Sequence, residues 1–136
     1  MAPHHARRER RGLLLAVFAG GIVGTLARAE VARLLPASGD AWPWATFAVN
    51  CAGAFLIGLL VTRLQERLPP ARFGRPFVGT GLCGALTTFS TFQVEILRIA
   101  HDGHVLLAAG YLVASVATGL VLVYAATAAV RRVRLT

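Results

Sequence analysis

The sequence predicts an all-α membrane protein with four transmembrane helices, the third of them broken near its middle. Three observations carry that prediction. Of the 136 residues 56% are hydrophobic and the mean hydropathy is +0.63, too apolar for a soluble domain of this length. Four apolar runs with few charges, 13–29, 44–64, 77–99 and 105–130, are joined by short polar connections, and one hydrocarbon core takes roughly 20 apolar residues as helix. Within the third run, Gly79, Gly81 and Gly84 make uninterrupted helix costly relative to alanine. The predicted organisation is a basic tail over 1–12, a four-helix transmembrane domain over 13–130 and a basic tail over 131–136.

The first run follows Arg7, Arg8, Arg10 and Arg11, as the apolar region of a signal peptide would follow its basic start. It lacks a small-residue cleavage site, contains Arg28 and continues toward Leu35, so it reads as a retained span. Gly20 and Gly24 form a G-x-x-x-G spacing that lets another helix approach closely in lipid. The second run begins at Trp42, Pro43 and Trp44, where indoles suit the membrane interface and proline a first helical turn. Asn50 then sits beside a small-residue face of Gly53, Ala54 and Gly58, a face that belongs against protein.

A break in the third run frees backbone groups that lipid cannot satisfy, so it belongs where it faces protein, a cavity or an ion. A kinked packing helix is the alternative reading of glycine and threonine alone. The fourth run sets Tyr111, Ser115 and Thr118 on one polar stripe, which wants a polar partner; an interhelical hydrogen-bond seam would use the same spacing.

The net charge of +8 does not indicate nucleic acid, because the basic residues sit at helix ends and loops. With four spans, the N-terminus, the loop from Arg63 to Arg75 and the C-terminus share one side and hold eleven arginines (Arg7, Arg8, Arg10, Arg11, Arg63, Arg67, Arg72, Arg75, Arg131, Arg132, Arg134) against Arg28, Arg33 and Arg98 on the other. That asymmetry predicts cytoplasmic termini and a single orientation in the cell membrane. Cys51 and Cys83 fall inside spans and read as small buried residues. His4, His5, His101 and His104 lie outside the spans without partners at metal-ligand spacing.

Glu95 is the one acid inside a span, with Arg98 three residues on as its expected partner. The absence of paired carboxylates, a phosphate loop or a nucleophile with its base argues against an enzyme. What remains is an amide (Asn50), hydroxyls (Thr87, Thr88, Ser90, Thr91, Ser115, Thr118) and two rings one turn apart, Phe89 and Phe92. Amide and hydroxyl protons, and the positive edge of a phenyl ring, suit a small hard anion.

Gly81-Leu-Cys-Gly-Ala-Leu-Thr-Thr-Phe-Ser-Thr-Phe92 resembles the signature of the CrcB/Fluc fluoride channels. Gly20-Gly-Ile-Val-Gly-Thr-Leu-Ala-Arg28 and Thr46-Phe-Ala-Val-Asn-Cys-Ala-Gly-Ala-Phe-Leu-Ile-Gly58 resemble that family's first two helices. The resemblance implies an antiparallel, dual-topology dimer with two pores through which fluoride leaves the cell passively. It implies Phe89, Phe92, Asn50, Ser90, Thr91, Tyr111 and Ser115 along the pore, and a structural sodium ion held at the dimer centre by the backbone carbonyls of Gly84 and Thr87. Ala85 departs from the glycine often found there, and Gly119 stands where the polar track carries a further hydroxyl.

An antiparallel homodimer needs nearly balanced arginines, and this chain is unbalanced. The alternative partner is an oppositely oriented paralogue, giving a heterodimer. A proton-coupled exporter of the small multidrug-resistance type would need a deep acid in helix 1, which has no Asp or Glu over 13–29. A non-conducting membrane subunit is the third reading, one in which Phe89 and Phe92 would carry no transport.

Overall fold

The computed structural model describes residues 3–36, 41–66 and 73–132. Arg67, Arg72 and Arg134 of the arginine count lie outside them, as do the side chains of His4, His5 and Arg63. The described residues are helical, with no strand among them. Helix α1 runs Pro3–Leu34 and α2 Trp44–Glu66. A π-helical segment, Pro76–Cys83, leads into the short α3 (Gly84–Leu86), and α4 (Phe89–His101) and α5 (Val105–Arg132) complete the chain.

α1 starts ten residues before the predicted span, because the arginines ahead of it are good helix formers. At 32 residues it is about 48 Å long, well beyond a hydrocarbon core of about 30 Å. Three helical stretches, Arg7–Leu34, Trp44–Thr62 and Val105–Arg132, are long and apolar enough to cross a membrane. The third predicted span, 77–99, does not form one such helix. Thr87 (φ −79°, ψ 153°) and Thr88 (φ −145°, ψ 114°) are extended and divide it into pieces, each too short to cross alone.

α1 packs along the π-helical segment and α3, α2 along α5, and α4 along α5. The α1 contact is made backbone to backbone: a Cβ at Gly20 would strike the Phe77 carbonyl, and one at Gly24 the Leu82 carbonyl. The G-x-x-x-G spacing thus serves close helix approach. At the turn after α4, Gly103 takes φ 91° while its N–H bonds the Ala100 carbonyl and that of His104 bonds Ile99, a left-handed cap suited to glycine.

Few side chains are buried. One cluster joins Phe92, Ile99, Ala108 and Tyr111, with Trp42 and Phe47 against it. Most apolar residues of α1 and α5 point outward, among them Phe18, Leu26, Leu106 and Leu120, a surface that belongs in lipid or against another subunit.

Candidate functional site

The site grows from the two extended threonines. A helix continuing through them would give the Thr88 N–H to the Gly84 carbonyl and the Thr91 N–H to the Thr87 carbonyl. Both donors are diverted. The Thr88 N–H bonds Asn50 Oδ1 at 2.9 Å, while Asn50 Nδ2 donates to the Thr88 carbonyl at 3.2 Å. The Thr91 N–H bonds Thr88 Oγ1 at 3.2 Å, the side chain that caps α4. Asn50, from the second turn of α2, therefore pairs both backbone groups of Thr88, which an apolar setting requires. One of its two amide hydrogens is used in doing so.

Thr88 Oγ1 also donates to Thr91 Oγ1 at 2.9 Å and lies 3.4 Å from Ser90 Oγ. Thr87 turns the other way: its hydroxyl and its N–H both donate to the Cys83 carbonyl, at 2.8 and 3.1 Å. Its methyl occupies the space where Gly53 has no Cβ, so the small-residue face of α2 is what admits the interruption.

Phe89, Ser90 and Thr91 form the first turn of α4, with no acidic residue among them. The positive end of the α4 dipole makes this an anion-favouring end. Phe89 is 71% exposed, whereas Phe92 is 6% exposed, their ring centroids 6.2 Å apart. Ser90, Thr91 and Gly84 are also exposed, so this side of the site opens away from the chain's own bundle.

Aromatic rings continue from there. Phe92 meets Tyr111 edge-on at 5.1 Å, and Tyr111 meets Trp42 edge-on at 5.2 Å. The Tyr111 hydroxyl donates to Glu95 Oε2 at 2.9 Å, and Thr46 Oγ1 donates to Glu95 Oε1 at 2.7 Å. Arg98, the expected partner of Glu95, is not its partner. The carboxylate points from α4 toward α2 and α5, where two hydroxyls meet it, while Arg98 is exposed. The Ser115 hydroxyl and the Trp42 indole N–H are buried with no hydrogen-bond partner among the described residues.

Beside the interruption lies a cleft of about 240 Å³ between α1 and α2, lined by Thr25, Arg28, Thr46, Thr88 and Thr91 among small apolar residues. Its lining holds one cation, several hydroxyls and no acid. Arg28, given no site role from sequence, belongs to this cleft. So does Thr46, whose link to Glu95 spans 49 residues and leaves no local signal. Among the described residues no group of His, Cys, Asp or Glu is arranged to hold a metal, and the two cysteines are free.

A membrane-embedded bundle with a polar helix interruption and an anion-favouring helix start defines the class, a small transmembrane ion pathway. The family profile "CrcB-like protein, Camphor Resistance (CrcB)" matches residues 15–127, and the chain belongs to that family. It is 53% identical over 133 residues, 98% of both chains, to a protein of Mycobacterium bovis named fluoride-specific ion channel FluC 1. It is 44% identical over 133 residues to FluC 3 of Streptomyces avermitilis, covering 94% of this chain and 65% of that one. A FluC of Chlorobium phaeobacteroides is 40% identical over 116 residues, 85% of this chain and 91% of the other.

Proposed function

We propose that this chain is a subunit of a fluoride-specific channel, not an enzyme, that lets fluoride leave the cell passively and so lowers its cytoplasmic concentration. The observation that carries the reading is the start of α4. Asn50 and the Thr88 cap hold the interruption open, so that Phe89, Ser90, Thr91 and Phe92 stand at a positive helix end with hydrogen-bond donors and ring edges together. The names of its relatives point to fluoride as the ion.

On this reading the broken stretch 76–101 makes the third of four membrane passes, and the multi-pass protein places both termini in the cytoplasm. The pore runs from the Arg28 cleft past Asn50, Phe89, Ser90, Thr91 and Phe92 toward Tyr111 and Ser115. Donors attract the anion in the cleft, and ring edges replace its water where Phe89 and Phe92 stand. No residue has to titrate for the ion to pass.

The exposed half of the track supports a dimer of antiparallel subunits, each pore being completed by the other subunit. A sodium ion fits the carbonyls of Gly84 and Thr87, hard oxygen donors whose helical N–H partners are taken by Asn50 and Thr88. Bound there, it would supply positive charge to hold two interruptions together. The arginine imbalance favours a fixed orientation, and hence a heterodimer with an oppositely biased paralogue over a homodimer. Streptomyces avermitilis relatives carry the names FluC 2 and FluC 3, so related chains do coexist in one organism.

The function is tested by fluoride-electrode efflux from vesicles of the native membrane, with wild-type and Phe89→Ala chains. Efflux that is independent of both would contradict it. Pairing is tested separately: robust efflux by the purified single chain in liposomes would exclude an obligate heterodimer.

A further inference from the structure

Apart from their share in setting insertion direction, the channel reading gives the first turns of α1 no role. Arg7, Arg8, Arg10 and Arg11 are exposed there on continuous helix, and among the described residues none of the four makes an ion pair. At about 100° per residue, Arg10, Arg7, Arg11 and Arg8 fan over one half of the helix circumference, and Glu9 falls on the other. Gly12, Gly20 and Gly24 also lie on that other half, against Phe73, Phe77 and Leu82. The arginine half therefore faces away from the protein.

Directly below it on the same half stand Leu14, Leu15, Phe18 and Ile22, between 46% and 67% exposed. The face thus reads as guanidinium groups above a broad apolar stripe, the profile of a helix crossing from headgroups into acyl chains. The placement is also electrostatically unfavourable within the chain. Four cations stand in the second and third turns of the helix, at like-charge i, i+3 and i, i+4 spacings. An external anion relieves their mutual repulsion.

We propose that this face is a binding site for the phosphate headgroup of anionic phospholipid. Arginine forks grip the phosphodiester, and the lipid's chains lie along the Leu14–Ile22 stripe. The apolar stripe is the reason to favour a lipid over a soluble phosphate or a nucleic acid. The proposal rests on the membrane-spanning reading and not on the identity of the transported ion.

Equilibrium binding of fluorescent short-chain phosphatidylglycerol to the detergent-purified full-length chain tests it, since insertion orientation plays no part in detergent. Phosphatidylcholine is the neutral comparison and inorganic phosphate the soluble competitor. Near a charged lipid surface each arginine is worth about fivefold. Phosphatidylglycerol is therefore expected to bind at least about tenfold tighter than phosphatidylcholine, with that preference shrinking as salt is raised. The joint variant R7Q/R8Q/R10Q/R11Q is expected to remove the preference and leave phosphatidylcholine binding unchanged.

Arg98→Gln, at the opposite end, is expected to keep the preference. R10Q/R11Q alone, a milder change, is expected to remove part of it should the fourfold variant fail to fold. Equal binding of the two lipids, or an unchanged preference in both arginine variants, would overturn the proposal. So would displacement of the lipid by inorganic phosphate at equal concentration. Loss of dimerisation with lipid preference intact would assign the face to a second copy instead. Fluoride efflux is a separate readout, so failure here and failure of the channel reading are distinguishable.

Discussion

Asn50 does for the interruption what a neighbouring strand does in a sheet, giving one extended residue both of its hydrogen bonds. Its removal strands two backbone groups in an apolar setting, at about 1–3 kcal/mol each. Asn50→Ala is therefore expected to lower stability by about 2–6 kcal/mol in denaturant titration and to abolish transport. Phe89 and Phe92 separate by burial. Phe92→Ala empties core and should cost about 3–5 kcal/mol, whereas Phe89, 71% exposed, can be truncated with little change in stability. A fall of about tenfold in fluoride efflux for Phe89→Ala, equivalent to about 1.4 kcal/mol of barrier, would then report on the pore alone. The types and spacing of these residues were legible in the sequence, because a helical turn fixes which side chains share a face. The Asn50 clamp was not legible, since its partner lies 38 residues away. Glu95 shows the same limit: the i+3 rule offered Arg98, while Thr46 and Tyr111 reach it from other helices.

At the scale of the elements, Gly81 of the third run serves close approach to α1, while Gly84 has open space where its Cβ would be. Gly81 has the Val17 carbonyl where its Cβ would be, at 2.5 Å, and the chain stays helical in π winding through Gly79 and Gly81. It leaves helix only at Thr87 and Thr88. Glycine cost is a local signal, so it marks a weak helix without saying where the helix ends. That position depends on Asn50 and Gly53 of α2, which sequence spacing does not pair with Thr88 and Thr87. Two expectations follow for stability measured by chemical denaturation. Gly24→Val should cost about 1–3 kcal/mol, because the Leu82 carbonyl cannot move without moving the π-helical segment. Thr88→Val should cost about 0.5–2 kcal/mol through loss of the α4 cap.

For the whole molecule, three of the four spans that hydropathy placed form single helices long and apolar enough to cross a membrane, since length and apolarity are bulk properties. The arginine distribution adds a constraint that packing does not, a bias toward one insertion direction. Cysteine labelling of each terminus in intact cells is expected to find both termini on the cytoplasmic side, and a mixed population would contradict fixed insertion. The outward apolar faces of α1 and α5, together with the half-open polar track, fit a subunit completed by lipid and by a partner. The most direct measurement is efflux of fluoride and of chloride from native-membrane vesicles carrying the wild-type chain, no chain, or Phe89→Ala. The account predicts fast fluoride efflux with the wild-type chain, none without the chain and about a tenfold fall with Phe89→Ala, with chloride release the same in all three. Fluoride efflux unchanged by removing the chain, or chloride release that follows it, would contradict the account.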